Sequence, residues 1–172
     1  QELPLVSNNA EISNAFEITN YKKLSSTSDM VGKVSFFGKT ITGLSDDVRI
    51  SKRLNVPSYR LRGFQRGKIG PVENNDYIGG NHVTSLNFSA TLPTIVQGLD
   101  NLDVGIFLDA ANVWGVDYDS SIDDKSALRS ATGLALNLMT PIGPLSFSFA
   151  NALTKASSDK TETFRFNLGT QF

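Results

Sequence analysis

Alternation with a period of two runs through most of the chain, and no stretch carries the apolar spacing of an amphipathic helix. In residues 81–92, His82, Thr84, Leu86, Phe88, Ala90 and Leu92 share one face, and Ser85, Asn87, Ser89 and Thr91 share the other; Val83 alone breaks the polar side. Residues 103–114 repeat the scheme, with Val104, Ile106, Leu108, Ala110 and Trp114 outward and Gly105, Phe107, Asp109 and Ala111 opposite. Leu134, Leu136 and Leu138 alternate with Ala135 and Asn137, and Leu145, Phe147 and Phe149 with Ser146 and Ser148. The last strand, residues 163–172, sets Phe164, Phe166, Leu168, Thr170 and Phe172 against Arg165, Asn167, Gly169 and Gln171. Residues 12–22 and 30–42 read as earlier strands, the pair Phe36-Phe37 leaving the facing of the second open, and residues 1–6 as the tail of another. The chain is therefore expected to be all-β.

The polar faces decide between kinds of β fold. A soluble sandwich wets its outer face with charges, often Lys and Glu. Here that face is Ser, Asn, Thr, Gly and Ala, which suits a water-filled lumen. Connections alternate between short turns and long loops, as in outer-membrane barrels. No apolar run reaches the length a membrane helix needs, but barrel strands escape such a scan. The expectation is a transmembrane antiparallel β-barrel, with Trp114 as the aromatic of the outer interface and Phe172 at the inner one.

One segment does not fit a hairpin. Residues 58–80 are long, polar and rich in glycine, with Gly63 beside Phe64 and the pair Gly79-Gly80. Loops of that size are usually functional or disordered, and glycine lets a backbone pack closely against a neighbour. A barrel of about eight strands is just filled by its own side chains, so an inward-folded loop requires a larger barrel.

Bulk properties narrow the functions. Sixteen basic and 17 acidic residues give a net charge of −1 with neither sign concentrated, which disfavours a nucleic-acid face. With no cysteine, neither a disulfide framework nor a thiolate metal site is available. Residues 63–68 superficially suggest a phosphate loop, but the glycine spacing is one short and Ile69 replaces the required hydroxyl residue. Asp117, Asp119, Asp123 and Asp124 lack the glycine and glutamate of a calcium loop and read as a solvated loop. His82, the single histidine, cannot form a multi-histidine metal site. Neither hydrolase signature, the serine elbow or the zinc-protease helix, occurs, so the segment is expected not to be an enzyme, and no cofactor or metal is expected.

Several motifs in unbroken order carry a resemblance. They are Arg62-Gly63-Phe64, Ile69-Gly70-Pro71, Gly79-Gly80-Asn81, Phe107-Leu108-Asp109-Ala110 with Val113-Trp114, Thr140-Pro141-Ile142-Gly143-Pro144-Leu145, Phe147-Ser148-Phe149-Ala150 and a terminal Phe172. From about residue 48 to the end the chain resembles the C-terminal half of the barrel of the BamA family, outer-membrane protein assembly factors of the BamA/TamA bacterial surface antigen superfamily. The resemblance implies a sixteen-stranded barrel in the bacterial outer membrane, of which residues 1–172 are about the last eight strands. It also implies that the long loop folds into the lumen. Carried onto this chain, Arg62 with Gly63 and Phe64 is the loop anchor, and Phe107, Asp109 and Asn87 are its lumen-wall partners, with Phe107 and Asp109 in direct contact. A guanidinium both stacks on a ring and pairs with a carboxylate. The family often has an acid where this chain has Asn87, which leaves Arg62 more reliant on Asp109. Read blandly, Arg62 is a solvated loop charge and Asp109 a hydrogen-bonded lumen residue.

The function so implied is folding and insertion of other barrel proteins. The seam strand, residues 163–172, would open and template an incoming strand, with Gly169 as its weak point and Phe164, Phe166, Leu168 and Phe172 as its aromatic and terminal signal. Implied partners are nascent outer-membrane barrel proteins, outer-membrane lipid and accessory lipoproteins bound through upstream POTRA domains. Other readings keep the barrel and change its role, to a TamA-like factor, a two-partner secretion pore, the anchor of a fused patatin-like phospholipase, or a passive porin. The sequence opens on Gln1 rather than Met and is expected to be a piece of a longer protein, whose preceding region would discriminate these.

Overall fold

The computed structural model describes residues 10–93, 101–141 and 143–168. Seven strands form one antiparallel sheet: β1 (Glu11–Lys23), β2 (Val31–Gly43), β5 (His82–Thr91), β6 (Leu102–Trp114), β7 (Arg129–Thr140), β8 (Gly143–Thr154) and β9 (Phe164–Leu168). Their spatial order is their chain order, so every pair is a hairpin or a meander step. A two-stranded ribbon, β3 (Val72–Glu73) with β4 (Asp76–Tyr77), lies inside the long connection between β2 and β5. The sheet does not close: β1 and β9 stand at its two ends. The strand read at residues 1–6, Ile142 in the last tight turn, and Gly169 and Phe172 lie outside the described residues.

Register runs unbroken from β1 to β7, with a shift at Ser130/Ala131 where β7 meets β8, and it keeps the two faces apart. Register aligns Ile18, Phe36, Leu86 and Ala110 in one row, and Thr19, Ser35, Asn87, Asp109 and Ala131 in the next. The first kind of row is outer: Phe16, Ile18, Phe36, Leu86, Phe88, Ile106, Leu108, Leu134, Phe149, Phe164, Phe166 and Leu168 are all exposed. A water-soluble sheet would not leave a continuous apolar face uncovered. Across β8 and β9 this face holds an aromatic cluster, with ring centroids of Phe147 and Phe166 5.1 Å apart and of Phe149 and Phe164 5.0 Å apart.

The buried core lies on the other face, beneath the long connection. Val48, Leu54, Val56, Leu61, Phe64 and Ile69 of the loop pack with Ile41, Val83, Ala111, Val113 and Ala131 of the sheet. That explains Val83, the lone apolar residue on its polar side: it is 1% exposed because the loop covers it. The Phe36-Phe37 ambiguity resolves the same way, Phe36 pointing outward and Phe37 packing against the loop core. The loop is also longer than residues 58–80. The sheet stops at Gly43 and resumes at His82, and the approach is already docked through Val48 and a short 3₁₀ turn, Ile50–Lys52.

Candidate functional site

The loop tip crosses the inner face with successive side chains aimed at different strands. Gly63 makes the crossing possible. Its φ is +85°, and a Cβ there would stand 2.9 Å from the Cβ of Ala131 and 3.2 Å from that of Ala150. Only glycine tolerates both the backbone conformation and the gap. The neighbouring Phe64 then seats its ring in the loop core, 2% exposed.

Arg62 reaches β6. Its Nε donates to Asp109 Oδ2 at 2.7 Å, its Nη2 to Oδ1 at 2.8 Å, and its backbone N–H also donates to Oδ2, at 3.1 Å. The guanidinium carbon lies 3.5 Å from the centroid of the Phe107 ring. Two parallel charge-assisted bonds and a stacked face fix both the position and the plane of the guanidinium. Asp109 is wholly buried and Arg62 retains 20% side-chain exposure, so the acid depends on this pairing more than the base does.

Asn87 serves the acid rather than the arginine. Its Nδ2 donates to Asp109 Oδ1 at 2.8 Å and to the Arg60 carbonyl at 2.6 Å, and register sets it directly opposite Asp109. A second carboxylate here would face the first across one strand gap. The amide instead adds a donor to each of two acceptors.

Residues outside the expected anchor complete the fixation. Arg60, two positions before Arg62, turns toward the opposite side: its Nη2 lies 2.7 Å from Glu17 Oε2 on β1, and its guanidinium carbon 4.2 Å from the Phe37 ring centroid. From β9, Arg165 Nη1 donates to the Ser58 carbonyl at 2.6 Å and Nη2 donates to the Phe64 carbonyl. Gly133 of β7 is closely enclosed: a Cβ there would stand 1.9 Å from the Phe149 carbonyl oxygen of β8 and 2.9 Å from the tip of the Phe107 ring, so the bare backbone serves the strand pairing first and the ring second. Arg165 was visible as the one charge on the inner parity of the last strand. Arg60 had no comparable signal, because its role depends on which strands the loop overlies.

Two further clusters tie the long loop to the other connections. Arg53 bonds Asp117 with Nη2, donates from Nη1 to Asn81 Oδ1 at 3.1 Å, and lies over the Tyr118 ring. Asp117 also accepts from the Val48 N–H at 3.0 Å and Asn81 Nδ2 at 2.8 Å. Burial pushes the Asp117 carboxyl up, but the bonds from Val48, Asn81 and Arg53 outweigh it and hold it below the ordinary value of 3.8. Arg129 and Asp159 form a buried two-point pair at 2.9 and 3.2 Å, with Gly70 N–H also donating to Asp159. The acidic residues of 117–124 do not converge: Asp119 accepts from Ser121 N–H and Asp124 from Val116 N–H. His82 packs against Trp114 with its ring tilted by 37°, centroids 5.5 Å apart, where the start of β5 meets the end of β6.

An uncovered apolar outer face, a polar inner face and a loop riveted to that face together define a membrane β-barrel wall. The chain belongs to the Omp85 superfamily: the family model described as the Omp85 superfamily domain matches residues 3–172. It is 29% identical over 141 residues to the outer membrane protein assembly factor BamA of Neisseria meningitidis serogroup B, covering 65% of this chain and 17% of that protein. The crystal structure of BamA from Haemophilus ducreyi lacking POTRA domains 1–3 superposes with a TM-score of 0.78 at 26% identity, covering 92% of this chain and 34% of that one. The chain thus spans a minor part of the relatives it matches, and it is a BamA-like fragment of a bacterial outer-membrane barrel.

Proposed function

We propose that this chain is the C-terminal half of the barrel of an assembly factor that folds and inserts β-barrel proteins into the outer membrane. The observation that carries the reading is the fixed loop: Arg62 clamped on Asp109 and Phe107, with small residues cut away beneath Gly63. The same loop also bears against the last strand, Arg165 donating to the Ser58 carbonyl, which ties the anchor to the strand where templating would occur. In this reading residues 163–172 form the seam strand, whose free edge adds an incoming strand through main-chain hydrogen bonds. The described part of that strand, Phe164–Leu168, pairs with Leu145–Phe149 of the longer β8, and Ala150 N–H donates to the Thr163 carbonyl just before it, so that among the described residues β8 beyond Ala150 is paired with β7 and not with β9. No nucleotide or cofactor is required. The partners are nascent barrel proteins, with accessory lipoproteins recruited by regions outside this chain.

Depleting the full-length protein from its bacterium tests this. Barrel proteins as a class should then accumulate unfolded and protease-sensitive in the periplasm. Loss confined to one secreted protein would instead assign a secretion pore, and loss of a lipolytic activity alone would assign a membrane anchor.

A further inference from the structure

We propose that Arg165 is a positioning residue that latches the last strand to the lumen loop, so that freedom of the seam is set by the loop anchor on β6. The proposal rests on the seam reading above and adds the contact that would govern it.

Arg165 lies on the inner face of β9 opposite Ser148, with only 12% of its side chain exposed. Its two terminal nitrogens reach two different carbonyls, those of Ser58 and Phe64, which bracket the Arg62 anchor. Glu162 lies 3.5 Å from the same guanidinium. Just before β9 the chain pairs with the loop tip itself. Phe64 and Thr161 form an antiparallel bridge, Glu162 N–H donates to the Gly63 carbonyl at 3.0 Å, and Gln65 N–H donates to the Lys160 carbonyl at 3.0 Å. The loop is therefore a strut with one end clamped at Asp109 and the other holding the start of β9.

The energetics of β9 make this contact decisive. Its described length of five residues offers few ladder bonds to β8, and on the outer face it meets β8 through the Phe147, Phe149, Phe164 and Phe166 cluster, with Leu168 opposite Leu145. Charged donors form stronger hydrogen bonds than neutral ones, so two guanidinium bonds to carbonyls weigh heavily against so short a ladder. Peeling β9 away must either break them or carry the loop along. Since Arg62 clamps the loop, the two arginines act in series.

Hydrogen exchange of the full-length protein in lipid nanodiscs, without substrate, reads the latch directly. Arg165→Met keeps the apolar stem and removes both donors; amides of residues 164–168 should exchange about tenfold faster or more, with residues 82–91 unchanged. Arg62→Met frees the other end of the strut and should also speed residues 164–168, the double variant adding little to the larger single effect. Should Arg165→Met not assemble, Arg165→Lys keeps the charge but spans one carbonyl, and should give a smaller rise at the same residues. Exchange at 164–168 unchanged within about twofold, a uniform rise over all strands, or strictly additive effects of the two arginines would overturn the latch. Because no substrate is present, the latch can fail while templating stands, and templating can fail on substrate crosslinks while the latch stands.

Discussion

Removing Arg62 strands a carboxylate that the fold has wholly desolvated. Breaking a buried pair from one side costs about 3–5 kcal/mol, since the remaining charge stays uncompensated. Here Asp109 keeps two other donors, the Asn87 amide and the backbone N–H of residue 62, which places Arg62→Ala toward about 3 kcal/mol. Asp109→Ala leaves Asn87 without its cross-strand acceptor and the guanidinium with only the Phe107 ring, a similar cost of about 3–4 kcal/mol. Each single change removes the same two bonds, so the double variant should fall short of the sum by about 2–3 kcal/mol. Phe107→Leu, which removes the stacked ring and leaves the carboxylate, should cost about 1–2 kcal/mol beyond lost packing. The assay is urea unfolding of the full-length barrel, followed by its heat-modifiable mobility on gels, for the two singles and the double. Strict additivity would refute the reasoning, because it would mean that the pair carries no mutual energy in the folded barrel.

Gly63→Ala should destabilise the docked loop by about 1–3 kcal/mol, from strained φ and the clash with Ala131 and Ala150, and appear as protease cleavage within residues 58–70. Gly133→Ala should strain the pairing of β7 with β8, because its Cβ would stand 1.9 Å from the Phe149 carbonyl oxygen, and should appear as faster amide exchange at residues 148–151. Asp117 gives the pH prediction. Its carboxyl is held below its ordinary value of 3.8, so its stabilisation is fully present above that value and is lost as pH falls through the lower folded value. Exchange protection of the Val48 amide, which Asp117 accepts, should therefore persist at about pH 4 and fail only on stronger acidification, and Arg53→Gln should move that failure to higher pH.

The strands were legible in the sequence because a wall with lipid on one side and water on the other enforces strict alternation; residues 81–92 and 103–114 show it almost without exception. The anchor was legible only through resemblance. Periodicity puts Phe107 and Asp109 on one face but says nothing about what lies above them, and the structure supplies Arg62 there. What stayed illegible depends on docking. Val83 looked like a defect until the loop covered it. Arg60 is an ordinary charge in sequence, and Arg165 shows only as the one charge on the inner parity of its strand; the value of both comes from carbonyls and carboxylates remote along the chain. Asn87 read as a lost ion pair, whereas it is a donor to the acid beside it.

The most direct test of templating uses the absence of cysteine from this sequence. Single cysteines placed in turn at residues 163–168 of the full-length protein, against cysteines in the terminal strand of a stalled nascent barrel protein, are followed by disulfide capture in cells. Strand addition predicts crosslinks at regular register along the seam, one substrate position for each seam position. No crosslinks from this strand, or crosslinks with no register, would contradict the account.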